Sequence, residues 1–231
     1  LIVLSVLGTM LLCSSSELLT AYISLELLSF TLYVLASYAR SNPKSNEAGV
    51  KYILLGAFSS ALLLFGISLI YGTVGDTRFI EISEVLQQQG LNVRLLLGLT
   101  FLLAGVGFKL SAVPFHMWAP DVYEGAPTPV TAFLSVGSKA ASFAMLIRIF
   151  VEGLPAVSAD WTALFWGLAV MTMTLGNIAA LTQSNLKRML AYSSVAQIGY
   201  IMLGISFGSV TGLTAGIVHL FNHALMKGAL F

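Results

Sequence analysis

The sequence predicts an all-α fold, a polytopic bundle of transmembrane helices, and three observations carry that prediction. Of the 231 residues, 57% are hydrophobic and only 9% are charged, with a mean hydropathy of +0.90. A soluble domain carries roughly a quarter charged residues, so this chain cannot cover a water-exposed globule. The apolar residues fall into eight runs, most of them near the roughly 20 residues a helix needs to cross a bilayer. Ionisable side chains nevertheless stand inside several of these runs: Glu26, Lys109, Lys139, His219, His223 and Lys227. The net charge of +1 gives no electrostatic footprint for nucleic acid. The single Cys13 leaves no internal disulfide framework and no multi-cysteine metal site.

The first run, 1–15, reads as a helix already under way, because the chain does not begin with Met and no signal peptide precedes it. Run 18–39 contains Glu26, and run 50–72 has Lys51 at its edge. Run 95–118, LLLGLTFLLAGVGFKLSAVPFHMW, contains Lys109, and run 130–150 contains Lys139. Runs 161–182, 189–207 and 210–231 follow, the last with His219, His223 and Lys227. It ends within HLFNHALMKGALF, so the sequence reads as an internal part of a longer protein. The runs are apolar on every side, and periodicity does not divide core from lipid faces. The longest link, 73–94, holds Gly75, Asp76, Arg78, Glu81, Glu84 and a glutamine run, and is expected to form a small hairpin or an amphipathic cap. Links 40–49 and 183–188 are basic and, counting spans, fall on one side. The positive-inside rule assigns Arg40, Lys44, Lys187 and Arg188 to the cytoplasmic or matrix side. No domain linker appears, so residues 1–231 are expected to form a single transmembrane domain.

Lys109 is the most informative residue. An ammonium at that depth costs at least about 2.5–3.5 kcal/mol, so chance seldom leaves one there. Five residues on, Pro114 cannot donate to the Leu110 carbonyl and its ring clashes with it, while Gly105 and Gly107 loosen the preceding turns. A broken helix frees backbone groups that can solvate an ion. The competing reading is a lysine that snorkels to the interface. Glu26 is the expected partner, since an unpaired buried charge is costly, although a protonated acid bonded to a helix backbone is the alternative. Lys139 lies among Gly137, Ser138, Ala140 and Ala141, as a relay group or on a packing face. His219, His223 and Lys227 stand four apart on one helix face. Without a Glu after the first His or a third ligand, no metal site is expected. The stripe suggests a proton relay, against histidines that merely bond neighbouring helices. Lys51 either snorkels or supplies a second countercharge to Glu26. Asp121 and Glu124, in PDVYEGAPTP, read as solvated residues of a turn-rich link with no transport role. A change of a few kcal/mol in the Glu26–Lys109 interaction, at about 1.36 kcal/mol per pK unit, suffices to decide whether Lys109 keeps its proton. A remote conformational or charge event could thereby move a proton.

The stretch FKLSAVPFHMWAPDVYEGAPTPVTAFLSVGSKAA resembles the antiporter-like membrane subunits of respiratory complex I, NADH–quinone oxidoreductase. Further matches are SLELLSFTLYVLASY, SNEAGVKYILLGAFSSALLLFG, NLKRMLAYSSVAQIGY and HLFNHALMKGALF, and the similarity is strongest to the subunit N branch, called subunit 2 in mitochondria. The resemblance implies inverted repeats of five helices, each with one broken helix, of which this partial chain would hold the first and the opening of the second. It implies Glu26 and Lys109 as the carboxylate–lysine pair, Lys139 as the next relay lysine and Lys51 as a nearby lysine. His219, His223 and Lys227 would lie on the helix leading toward the second repeat. It implies a proton-translocating, non-redox subunit in the bacterial plasma membrane or mitochondrial inner membrane. NADH, FMN, iron–sulfur clusters and quinone would be handled by partner subunits of the membrane and peripheral arms. The absence of GxGxxG, P-loop and cysteine-cluster motifs accords with that division. A subunit of the related multi-subunit sodium/proton antiporters is the alternative, and a membrane scaffold whose charges only fix packing is a third.

Overall fold

The computed structural model describes residues 1–231, and its elements are helical apart from one isolated antiparallel bridge between Glu17 and Arg78. Helices α1 (Ile2–Ser14) and α2 (Leu18–Ala36) pack as a pair. Helix α3 (Pro43–Val74) begins at Asn42, whose side chain accepts the Lys44 N–H, with Pro43 placed where its missing N–H costs nothing. Most of the basic link 40–49 is therefore the opening of α3. Helix α4 (Phe79–Gln89) buries Phe79, Ile82 and Leu86 and exposes Glu84 and Gln88, the amphipathic cap of the two expected forms.

Helix α5 (Val93–Leu110) starts at Asn92, which accepts the Leu95 N–H. It stops at Ser111, which adopts the left-handed conformation (φ 64°) while Ser111 and Ala112 donate their N–H groups back to the Phe108 and Gly107 carbonyls. The run 95–118 is thus not one helix. Residues 111–117 are irregular, and α6 (Trp118–Gly125) resumes beyond them. This corrects the reading of PDVYEGAPTP as a turn, because Pro120 and Asp121 sit in the first turn of a helix, where proline loses no bond and an acid suits the positive helix end.

Helix α7 (Thr128–Phe133) passes through a π-helical turn (Leu134–Ser138) into α8 (Lys139–Ile147) and a second π turn (Arg148–Glu152). Helices α9 (Ser158–Leu181), α10 (Leu186–Ser206) and α11 (Val210–Leu230) complete the chain, the last two capped by Asn185 and Ser209. Of the eight runs, six yield helices long and apolar enough to cross a bilayer. Helix α1 has only 13 residues, and α11 carries two histidines and a lysine along its 21.

Outward faces carry Ile23, Phe58, Trp166 and Ile178, a surface that suits lipid and would aggregate in water. The interior mixes a large apolar cluster with buried Ser24, Ser29, Ser59, Ser60, Ser138, Lys109, Lys139, His223 and Lys227. Helices α3 and α5 touch backbone to backbone: a Cβ on Gly66 would lie 2.6 Å from the Leu102 nitrogen. Small residues drive such contacts in membranes, where apolar burial gives no preference for helix over lipid. At one end of the bundle Glu124 receives Lys44 and Arg188, so the two basic links do share a side. The link after α3 docks at the other end, where Thr77 donates to the Glu17 carboxylate.

Candidate functional site: two buried lysines at a helix break

Lys109 is the penultimate residue of α5 and is 5% exposed. Its ammonium donates to Ser29 Oγ at 2.7 Å and to Tyr33 Oη at 3.2 Å, and Glu26 Oε1 lies 4.0 Å away. Glu26, Ser29 and Tyr33 occupy one face of α2 at spacings of three and four. The Glu26 carboxylate accepts in turn from the Ser60 hydroxyl of α3. The ring centroids of Tyr33 and Phe108 stand 5.5 and 5.9 Å from the ammonium. Lys109 therefore points inward and does not snorkel. The structure brings the expected pair together, across 4.0 Å rather than by direct hydrogen bond. Coulomb attraction at that distance is about 4 kcal/mol at an effective dielectric of about 20, the same size as the cost of placing the ammonium there.

Lys139 is 1% exposed and meets no carboxylate. Its ammonium donates to the Leu110 carbonyl at 2.6 Å, to Ser111 Oγ at 2.5 Å and to the Lys109 carbonyl at 3.3 Å, with the Trp118 ring 5.0 Å away. The last carbonyls of a helix lack intrahelical donors and together carry roughly half a negative charge. The break in α5 thus supplies Lys139 with a counter-charge made of backbone. Two further groups at the break are also met: Trp118 Nε1 donates to the Phe108 carbonyl at 2.7 Å, and Thr172 of α9 accepts the Val113 N–H at 3.1 Å. The sequence reading had the freed backbone solvating Lys109. Instead it serves Lys139, because the Lys109 side chain leaves α5 sideways toward α2 while the carbonyls point along the axis. The π turn immediately before Lys139 is a feature often found at functional positions.

The α11 stripe lies against that π turn. Lys227 is buried and donates to the Leu190 carbonyl of α10 at 3.0 Å. His223 is fully buried with neither ring nitrogen bonded, and Lys227, Lys139 and His219 are near enough to act on it electrostatically. His219 is half-buried, and its Nε2 meets Gln197 Oε1 at 2.7 Å.

Lys51 does not face Glu26. It pairs with Glu47 and with Asp121, each at 2.8 Å, and is partly solvent-exposed. Asp121 and Glu124, read as solvated, are half-buried partners of Lys51, Arg188 and Lys44. The folded α6 turns both acids toward α3 and α10, which a turn would not do. Sequence reasoning missed Ser29, Tyr33 and Ser60 as partners. Their spacing from Glu26 within SLELLSFTLY would have revealed the first two. It also passed over His116, a buried residue of the break whose Nδ1 has no partner.

Known proteins are similar to this chain in sequence and fold. The model of the family described as NADH:quinone oxidoreductase/Mrp antiporter, TM, matches residues 15–231. The chain is 49% identical over 232 residues to NADH-quinone oxidoreductase subunit N of Trichlorobacter lovleyi, an alignment covering 100% of this chain and 48% of that protein. Among solved structures it is similar to a chain of respiratory complex I from Thermus thermophilus, with TM-score 0.83 and 38% identity over 98% of this chain and 48% of that one. It is also similar to a chain of the Mrp complex from Dietzia sp. DQ12-45-1b, with TM-score 0.90 and 25% identity over 98% of this chain and 42% of that one. The chain spans about half the length of the curated relatives it matches. Family, fold and membrane character agree, and the chain belongs to the NADH:quinone oxidoreductase/Mrp antiporter transmembrane family.

Proposed function

We propose that this chain is the part of a proton-translocating membrane subunit of NADH–quinone oxidoreductase that carries its first buried lysine pair. One observation supports this above the others: Lys109 lies 4.0 Å from Glu26 while Lys139 is bonded to the carbonyl end of the same broken helix. When Glu26 faces Lys109, a carboxylate and two hydroxyls hold the ammonium. When Glu26 withdraws from Lys109, only the neutral Ser29 and Tyr33 oxygens remain and the proton is released. Lys139, bonded to the Lys109 carbonyl, is near enough that charge on one lysine opposes charge on the other, which favours handing protons on in sequence. His223 and Lys227 extend the line of titratable groups along α11.

In this reading the chain holds the first broken-helix repeat and the opening of the second. NADH, FMN, iron–sulfur clusters and quinone are handled by partner subunits in the bacterial plasma or mitochondrial inner membrane, and this subunit contributes no redox chemistry. Lys109→Ala in the assembled complex is expected to lower protons pumped per electron by at least about tenfold, as loss of a proton-transferring group does, while electron transfer persists with an uncoupler. Proteoliposomes with a pH-sensitive dye measure this. Unchanged pumping by an assembled Lys109→Ala enzyme would sink the reading. The likeness to the Mrp complex chain favours a second reading, a subunit of a sodium/proton antiporter. Purification of the full complex separates the two, since flavin and iron–sulfur absorbance accompanies only the first.

A further inference from the structure

Helix α6 is eight residues long and is cut off from α5 by residues 111–117, so helical continuity does not fix where it lies. Side-chain contacts to its neighbours must do so. The two carboxylate oxygens of Asp121 go to different helices: Oδ2 accepts from Lys51 of α3 at 2.8 Å, and Oδ1 from Arg188 of α10 at 2.5 Å. One turn on, Glu124 repeats the bridge, with Lys44 of α3 at 2.9 Å and Arg188 at 3.3 Å. Lys187 of α10 donates to the Ala126 carbonyl at the end of α6. Gly125 presses on α3 so closely that a Cβ there would lie 2.7 Å from the Ala48 side chain.

One turn before Asp121 stands Trp118. Its Nε1 occupies the Phe108 carbonyl, its ring stacks on Tyr52 at 4.5 Å, and it lies 5.0 Å from the Lys139 ammonium. The position of α6 therefore sets which carbonyls of the break remain for Lys139 and how closely an aromatic face approaches it. We propose that Asp121 is a positioning residue: by bridging Lys51 and Arg188 it seats α6 between α3 and α10 and holds Trp118 over the Lys139 ammonium. Isolated surface ion pairs often contribute nothing measurable. Asp121 differs because one carboxylate joins α6 to α3 and α10 at once, whereas the Lys187 and Thr131 bonds to the Ala126 and Tyr123 carbonyls hold only the C-terminal half of α6. The bridge borders a polar cavity of about 150 Å³ lined by Lys44, Glu47, Lys51, Asp121, Glu124 and Arg188, so it can open without stranding a charge in lipid.

The functional half of this inference rests on the proton-relay reading above, and the test separates the two. In the intact complex, Asp121→Asn is expected to raise hydrogen exchange of the α6 amides by about fivefold or more, with α5 and α8 unchanged. Pumping per electron falls severalfold, its pH profile shifts, and Asp121→Glu restores both. Should the asparagine variant fail to assemble, Arg188→Gln, which leaves Asp121 its Lys51 partner, is expected to show the same exchange and pumping changes. Unchanged exchange over α6 overturns the positioning role whatever pumping does. Faster exchange with pumping and pH profile intact overturns the link to Lys139, provided Lys109→Ala is defective. If Lys109→Ala also pumps normally, the relay reading fails and takes that link with it.

Discussion

At the scale of single residues, the two lysines solve the same problem differently. Lys109 has a carboxylate within 4.0 Å and two hydroxyls, whereas Lys139 relies on the exposed carbonyls of a helix end. A carboxylate on a side chain can move away, but a helix end cannot, so in the proposed relay Lys109 is the group whose surroundings change. Ser29 is its nearest acceptor, and hydrogen bonds to charged groups contribute about 1.5–3 kcal/mol. Ser29→Ala is expected to slow pumping roughly tenfold in the assembled enzyme, with Tyr33→Phe, at the longer 3.2 Å contact, costing less. Initial rates of proton uptake by proteoliposomes rank the two. No effect from either variant would mean that the ammonium is held by Glu26 alone. Lys109, Glu26 and Lys139 were legible in the sequence because a charge in an apolar run stands out against its neighbours. The partner of Lys51 was not, since a run apolar on every side does not reveal which way a given side chain faces. Asp121, placed in a proline-rich stretch, concealed its role for a related reason: the residues that favour turns also favour the first turn of a helix.

At the scale of elements, most boundaries lie within three residues of the apolar runs, and the two large departures are the start of α3, at Pro43 within the polar link, and the end of α5, at Leu110 well before Trp118. Asn42, Asn92, Asn185 and Ser209 each accept a backbone N–H at a helix opening, and these polar caps lie outside the apolar runs, which is why hydropathy alone placed the α3 start too late. The end of α5 was visible only as a proline five residues after Lys109. The actual stop at Ser111 depends on a left-handed serine no propensity scale favours. The link between α3 and α4 shows how a polar end is fastened. Leu18 N–H donates to the Thr77 carbonyl, Phe79 N–H to the Ser16 carbonyl, and Thr77 to the Glu17 carboxylate. Hydrogen bonds from Thr20 and then Thr77 hold the Glu17 carboxyl below its ordinary range. A depressed carboxyl contributes stability that is present above its unfolded value, about 4.3, and is lost as the pH falls through the lower folded value. Protection of the Leu18 and Phe79 amides is therefore expected to stay constant from neutrality to about pH 4 and to fall below it, after correction for intrinsic exchange. Glu17→Gln should remove that acid step. Its persistence in the glutamine variant would place the titrating group elsewhere.

At the scale of the whole molecule, the arrangement is polar inside and apolar outside, and its two ends differ in charge. One end gathers Lys44, Lys51, Lys187 and Arg188 around Asp121 and Glu124. The other carries Glu17, Asp76, Arg78 and Glu81. Basic residues beside spans are retained on the cytoplasmic side during insertion, while acids contribute little to the choice. The first end is therefore expected to face the cytoplasm or matrix, and α4 the opposite compartment. Ion pairing at that end does not remove the argument, since orientation is set as the spans insert, before α6 and α10 close on α3. Single cysteines at Asn46 and Gln88, both exposed and at opposite ends, test this in a Cys13→Ser background of the full complex. A membrane-impermeant maleimide should label Asn46→Cys in inside-out vesicles and Gln88→Cys only in right-side-out ones. The reverse pattern would move the Lys51–Asp121–Arg188 bridge to the far side of the membrane, and with it the end of the bundle that α6 closes would face the compartment that receives protons.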